Sequence, residues 1–313
     1  MSKIAIILIG ILVLIIVVCI VLVEVAFKRA FTKHKKTEEE AYEYLRKKNM
    51  LDKEIYNEVN REEVFIESHD NLKLKGYLME PYKESNKYII LVHGFTANNH
   101  IHMAFARFFI IEGFNVLAID QRNHGNSEGK YPSYGYFESM DIDRWIEFLY
   151  RRTGKELFLG LHGQSMGGAT VLICGSRNDK VDFIIDDCGY SNAKDEIRWE
   201  LSKVKGVYVD FIYLLLRIKA RVQIGFDIEK TSPRDEIIKC KKPIMFIHGD
   251  ADKLVPCKMA YEMYNLRNNE NDVLYIVKGA DHMWSYPKEK KEYERKVHNF
   301  IEKLEKTKKN NNI

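Results

Sequence analysis

From Ile4 to Val23 the chain carries no charged residue, and nearly every position is Ile, Leu or Val. A run of that length reaches the roughly 20 residues that a helix needs to cross a bilayer. It is apolar on every face, whereas a helix at the edge of a soluble core keeps a polar stripe. A cleaved signal peptide has a shorter apolar region and a small-residue exit. Here the best exit, Glu24-Val25-Ala26, carries a charge, and Val17-Val18 before Cys19 lacks the small residue of a lipidation site. Residues 4–23 are therefore read as an uncleaved anchor. Beyond it come Lys28-Arg29, Lys33, Lys35, Lys36 and the acidic Glu38-Glu39-Glu40, then Tyr42, Leu45 and Met50 at roughly helical spacing. This pattern predicts a polar, partly helical stalk over 24–60, with its charge runs a solvated face.

The pattern then changes period. Val64–Ile66 and Leu72–Leu78 flank the turn signal His69-Asp70-Asn71 and predict an opening hairpin, its second run alternating. Tyr88–Val92 is continuously apolar and β-branched, and further strands are read at 115–119, 156–160, 183–185, 244–247 and 273–277. Continuous apolarity marks strands buried on both faces. Helical spacing fills the gaps at about 100–112, 136–152, 166–177 and 288–306. Strands alternating with helices after a hairpin predict a mostly parallel, eight-stranded α/β sheet covered on both faces. The alternation breaks between 190 and 236, where Trp199, Leu201, Val204, Val207, Phe211, Tyr213, Leu214 and Leu215 predict an apolar helical insertion. It is read as a lid whose apolar side, Leu214 and Leu215 included, faces inward over a ligand. The body spans 61–306, and 307–313 is expected to be a disordered tail.

With 313 residues the chain can bury one large α/β core. Its net charge of +4 is slight and gathers near the ends, so no nucleic-acid footprint is expected. Five cysteines show neither metal spacing nor a paired framework, which fits buried thiols in a reducing compartment. His100 and His102 form an H-x-H without a local third ligand, and metal sites normally supply three or four. Neither a metal nor a cofactor is expected.

Ligands in open α/β sheets bind beyond the carboxyl ends of the strands. His93, Asp120, Ser165, Asp186 and His248 all follow predicted strands at that edge. Among them Ser165 stands out, in Gly163-Gln164-Ser165-Met166-Gly167 between an apolar run and a helix. That context suits a sharp turn presenting a nucleophilic serine. The turn strains its central residue, and glycines on either side avoid collisions with neighbouring backbone. A serine hydroxyl needs a base to take its proton. Of ten histidines, His282 follows the last strand in a loop able to reach over the sheet edge. His93, His124, His162 and His248 lie in strand-end turns and are read as structural. For the acid, Asp250 and Asp252 both follow the 244–247 strand, with Asp186 and Asp187 as alternatives.

Several motifs together resemble the α/β-hydrolase superfamily, and within it the monoacylglycerol-lipase and serine-aminopeptidase group, particularly membrane-anchored bacterial members. They are H-G-F-T at His93, D-x-R-x-H-G-x-S from Asp120, G-x-S-x-G-G around Ser165, H-G-x-x-D-x-x-V-P from His248 and G-x-D-H at His282. The resemblance runs from about 62 to 305. It implies the α/β-hydrolase fold, a triad of Ser165, Asp252 and His282, and oxyanion donors at the backbone amides of Phe95 and Met166. Arg122 and His124 are expected to brace their loop. The implied activity is that of a serine carboxylesterase or lipase-like enzyme acting on a small ester or acyl substrate, including lipids. A peptidase or amidase with the same triad is the nearest alternative, and a non-catalytic binding module of this fold is a third. The cluster Lys28, Arg29, Lys33, Lys35 and Lys36 behind the anchor, against Lys3 and the amino terminus ahead of it, predicts a single-pass membrane protein with its body on the cytoplasmic side.

Overall fold

The computed structural model describes residues 2–50, 59–204, 206 and 208–311. Helices α1 (Lys3–Phe31) and α2 (Glu38–Lys47) precede strands β1 (Glu62–Glu67), β2 (Lys73–Met79) and β3 (Lys87–Val92). Then α3 (Asn99–Ile111), β4 (Asn115–Ile119), α4 (Tyr136–Thr153), β5 (Phe158–Gln164), α5 (Met166–Arg177) and β6 (Phe183–Asp187) alternate. Next come α6 (Ala193–Ser202), α7 (Val209–Ile224), a 3₁₀ turn at Ile228–Lys230 and α8 (Pro233–Ile237). The chain closes with β7 (Ile244–Gly249), α9 (Lys258–Asn265), β8 (Val273–Val277), α10 (Ser285–Lys288) and α11 (Lys290–Asn311).

The eight strands form one sheet in the order β1-β2-β4-β3-β5-β6-β7-β8. β2 runs antiparallel to β1 and β4, and the rest are parallel, as the hairpin and the continuous apolar runs predict. The period of two explains the two cores. In β3, Ile89 and Leu91 pack with Phe105 and Phe109 of α3 on one face. Tyr88, Ile90 and Val92 join Trp145 of α4 and Val171 of α5 on the other. β7 divides the same way, Met245 and Ile247 against Ile244 and Phe246. β5 runs four residues further than the expected 156–160, to Gln164. Its glycines at 160 and 163 weaken the local pattern, but pairing with β3 and β6 carries the strand on. The short α9 was not expected from the sequence.

The amino-terminal region departs most from expectation. α1 continues unbroken through the anchor to Phe31. Its stretch from Ile4 to Val21 is exposed almost throughout, and it is long and apolar enough to cross a membrane. Past that, Val23, Ala26, Phe27 and Phe31 are buried against α6 and α7. So residues 24–50 do not stand away as a stalk. The Tyr134 hydroxyl donates to the Ala30 carbonyl at 2.9 Å, and Lys219 Nζ reaches Glu24 at 2.6 Å. α2 opens on a capping box between Thr37 and Glu40 and buries Ala41 and Leu45. The part of the expected stalk at 51–58 lies outside the described residues. At the other end α11 continues to Asn311, so the segment expected to be a disordered tail is helical as far as that residue.

Candidate active site

β5 delivers Ser165 to the carboxyl edge of the sheet. Ser165 sits at φ 55° and ψ −119°, in backbone space that L-residues rarely adopt, between the last residue of β5 and the first of α5. The glycines are dictated by contact. A Cβ on Gly163 would run into the Gly167 carbonyl, and one on Gly167 would run into the Val92 carbonyl of β3. The serine is thereby held at a turn tip where the positions two residues to either side cannot carry side chains.

β8 ends at Val277, and the loop after it brings His282 back over that edge. His282 Nε2 lies 2.9 Å from Ser165 Oγ, and its Nδ1 lies 2.7 Å from Asp252 Oδ2. A carboxylate accepts, so Nδ1 carries the proton and donates to Asp252. Nε2 is then the lone-pair nitrogen facing the serine hydroxyl. Asp252 Oδ1 accepts from the Leu254 and Val255 amides at 2.8 and 2.9 Å. A second histidine shares this acid. The fully buried His248 lies with Nε2 3.3 Å from Asp252 Oδ2 and 2.9 Å from the Val255 carbonyl. Burial alone would raise the Asp252 carboxyl, but hydrogen bonds with His248 and His282 hold it well below the usual carboxylate range. The other acids named from the sequence face elsewhere. Asp250 accepts from the Gly279 amide at the surface. Asp187 accepts from Gln164 and Tyr293, and Asp186 from the Gly189 amide. Burial pushes Asp186 up to about 7 and Asp187 up to about 6.

The Phe95 loop follows β3 directly. Gly94 packs on the elbow, where an added Cβ would lie 3.1 Å from both the Gln164 carbonyl and Ser165 Cβ. Met166 opens α5, so its amide is among the helix donors without an intrahelical acceptor. The loop is braced from behind. His124 Nδ1 donates to the Arg122 carbonyl at 2.9 Å, leaving Nε2 to accept from the Thr96 amide at 3.2 Å. His93 does likewise with the Gly94 carbonyl and the Gln121 amide. Burial depresses both histidines, consistent with these neutral forms. Arg122 spans Asp141 and Asp70 through four hydrogen bonds. Removing one partner of such a buried pair typically costs about 3–5 kcal/mol, which makes it a brace for the loop. His100 and His102 are buried in α3, and His100 Nε2 lies 3.5 Å from a Glu38 carboxylate oxygen.

Above Ser165 lies a mostly apolar cavity of about 190 Å³. α6 and α7 contribute Ile197, Leu201, Ile212 and Leu216. Of the two leucines expected to face inward, Leu214 points outward and Leu215 is half-buried against the helical cluster, while Ile212 and Leu216 line the cavity. Tyr190 and Glu196 also line it, and burial pushes Glu196 up to about 8. The opposite wall was missed from sequence: Leu22, Val25, Ala26 and Ala30 of α1. No single-face period marks that wall, because Val25-Ala26-Phe27 and Ala30-Phe31 spread around the helix.

Residues 83–188 match the family model described as serine aminopeptidase, S33. The Bacillus subtilis protein YqkD is 29% identical across 80% of this chain and 82% of its own length. Among solved structures, the Pyrococcus furiosus esterase Pf2001 superposes with a TM-score of 0.65 at 24% identity, covering 80% of this chain and 94% of that one. The acylaminoacyl peptidase of Pyrococcus horikoshii gives 0.60 at 17% identity, covering 78% of this chain and 41% of that one. The sheet order, the strand–elbow–helix geometry around Ser165 and these likenesses agree, and the chain has the α/β-hydrolase fold.

Proposed function

We propose that the protein is a membrane-anchored serine hydrolase that cleaves carboxylic esters. The observation that carries this reading is the unbroken chain of contacts from Ser165 Oγ through His282 to Asp252, opening into an apolar cavity. In the proposed reaction Ser165 Oγ attacks the acyl carbon and its proton passes to His282 Nε2. Asp252 holds the imidazole in the right tautomer and stabilises the imidazolium. The Phe95 and Met166 amides receive the developing oxyanion, an effect worth about 3 kcal/mol per donor. Collapse breaks the bond to the leaving alcohol, which takes the proton from His282, and leaves an acyl-serine. Water then attacks that ester by the same proton relay, releasing the acid and restoring Ser165.

A fluorophosphonate probe should label the protein, and Ser165→Ala should abolish labelling and ester turnover together. An alanine variant that turns over ester at near the parent rate would sink the reading. An amidase reading has one observation in its favour: Glu196 and Glu200 line the cavity and are of the type that binds an amine. Burial pushes Glu196 up to about 8, so it would have to give up a proton to pair with an ammonium, a step that a neutral ester does not require. Turnover of a small panel of esters and aminoacyl amides by the same preparation separates the two.

A further inference from the structure

One helix belongs both to the apolar run and to the cavity. From Ile4 to Val21, α1 projects clear of the body over roughly 27 Å at 1.5 Å per residue. That is close to the ~30 Å hydrocarbon thickness of a bilayer. If this stretch spans the membrane, the surface lies near Leu22, where α1 begins to line the cavity over Ser165. Two features fit that depth. Val25 is 44% exposed while also lining the cavity, so it stands at a mouth. Arg29 and Lys33, one and two turns further on, are exposed at the same rim, at the level where cations sit among headgroups. Beside α1, α7 turns Phe211, Leu214, Ile218 and Val222 outward, at 43%, 49%, 52% and 80% exposure. These recur on one helical face, an apolar stripe next to the span and suited to lying on its membrane.

We infer that α1 is a substrate port as well as an anchor: the acyl chain of a bilayer-resident ester passes laterally along α1 into the cavity, and Leu22 and Val25 set which chains pass. The inference rests on the hydrolase reading above and narrows its substrate to lipid esters held in the membrane that carries the protein. An ester dissolved in water has no need of a mouth at hydrocarbon depth. An acyl chain drawn along α1 stays in apolar surroundings throughout and avoids exposing its methylenes to water.

The test uses the full chain in phosphatidylcholine vesicles. A long-chain pyrene-labelled diacylglycerol, slow to exchange between vesicles, is supplied in the protein's own bilayer or in separate protein-free vesicles. The same-bilayer ester should be hydrolysed at least about tenfold faster, and Val25→Trp should lower the ratio of its turnover to that of p-nitrophenyl acetate by about tenfold. Residual acetate turnover shows that the variant is folded, and the comparison of the two presentations needs no variant. Equal rates from the two presentations, or a Val25→Trp chain that keeps the parental ratio, would overturn lateral access. Fluorophosphonate labelling of Ser165 without diacylglycerol turnover would also overturn it and leave the hydrolase reading standing. If Ser165 takes up no probe and neither ester turns over, the hydrolase reading itself fails.

Discussion

Asp252 holds two imidazoles on one carboxylate oxygen while two backbone amides occupy the other. Such an acid is fixed in position and charge, as an orienter for His282 has to be. Asp250, two residues earlier, has its oxygen on the Gly279 amide and faces solvent. Asp252→Asn should therefore lower the ester kcat by about four orders of magnitude, because the amide favours the wrong tautomer of His282. Asp250→Asn should lower it less than about tenfold, having lost one surface hydrogen bond. Rates for the two purified variants decide the matter, and the reverse ranking would move the acid to Asp250. At this scale the sequence was informative where a residue obeys a local constraint. Ser165 could be singled out because a strained turn needs glycines around it. The acid could not be chosen from the residues, because Asp250 and Asp252 follow the same strand. Only the resemblance separated them, since their difference lies in which way each side chain leaves the loop.

The helices over the site show what an element can and cannot announce. Apolar spacing located the insertion, whose ends at 190 and 236 bracket α6 and α7. Its inner face was not legible, since α7 is apolar on two sides: Ile212 and Leu216 toward the cavity, Phe211, Leu214 and Ile218 away from it. The α1 wall was hidden for a different reason. It depends on contacts such as Lys219 with Glu24, 195 residues apart, which no local period encodes. If α7 contacts the acyl chain, trimming its inner face removes methylenes that only a long chain touches. Ile212→Ala with Leu216→Ala should raise KM for a decanoate ester by about tenfold and for an acetate ester by much less. Equal changes for both esters would mean that α7 only holds the fold together.

For the whole molecule, the sheet was the most legible part, because runs buried on both faces and a hairpin at one edge leave few arrangements open. Lys28, Arg29, Lys33, Lys35 and Lys36 follow the span within a few residues, against Lys3 ahead of it. Positive charge close to a span resists translocation, whereas acidic residues such as Glu38, Glu39 and Glu40 count little. Lys28, Arg29 and Lys33 of this cluster are exposed, whereas Lys35, which donates to Asn123, and Lys36 are half-buried, and burial lowers the pKa of both. The five cysteines are unpaired, as a reducing compartment allows. We therefore propose that the hydrolase body faces the cytoplasm, with lipid drawn from the inner leaflet. A cysteine introduced at Lys33, beside the membrane edge, reports this directly. In intact cells, Lys33→Cys should resist a membrane-impermeant maleimide and react only after lysis, with the parent chain run alongside to subtract Cys19 and Cys257. Labelling before lysis at the rate seen after it would put the body outside, and the same port would then draw on the outer leaflet.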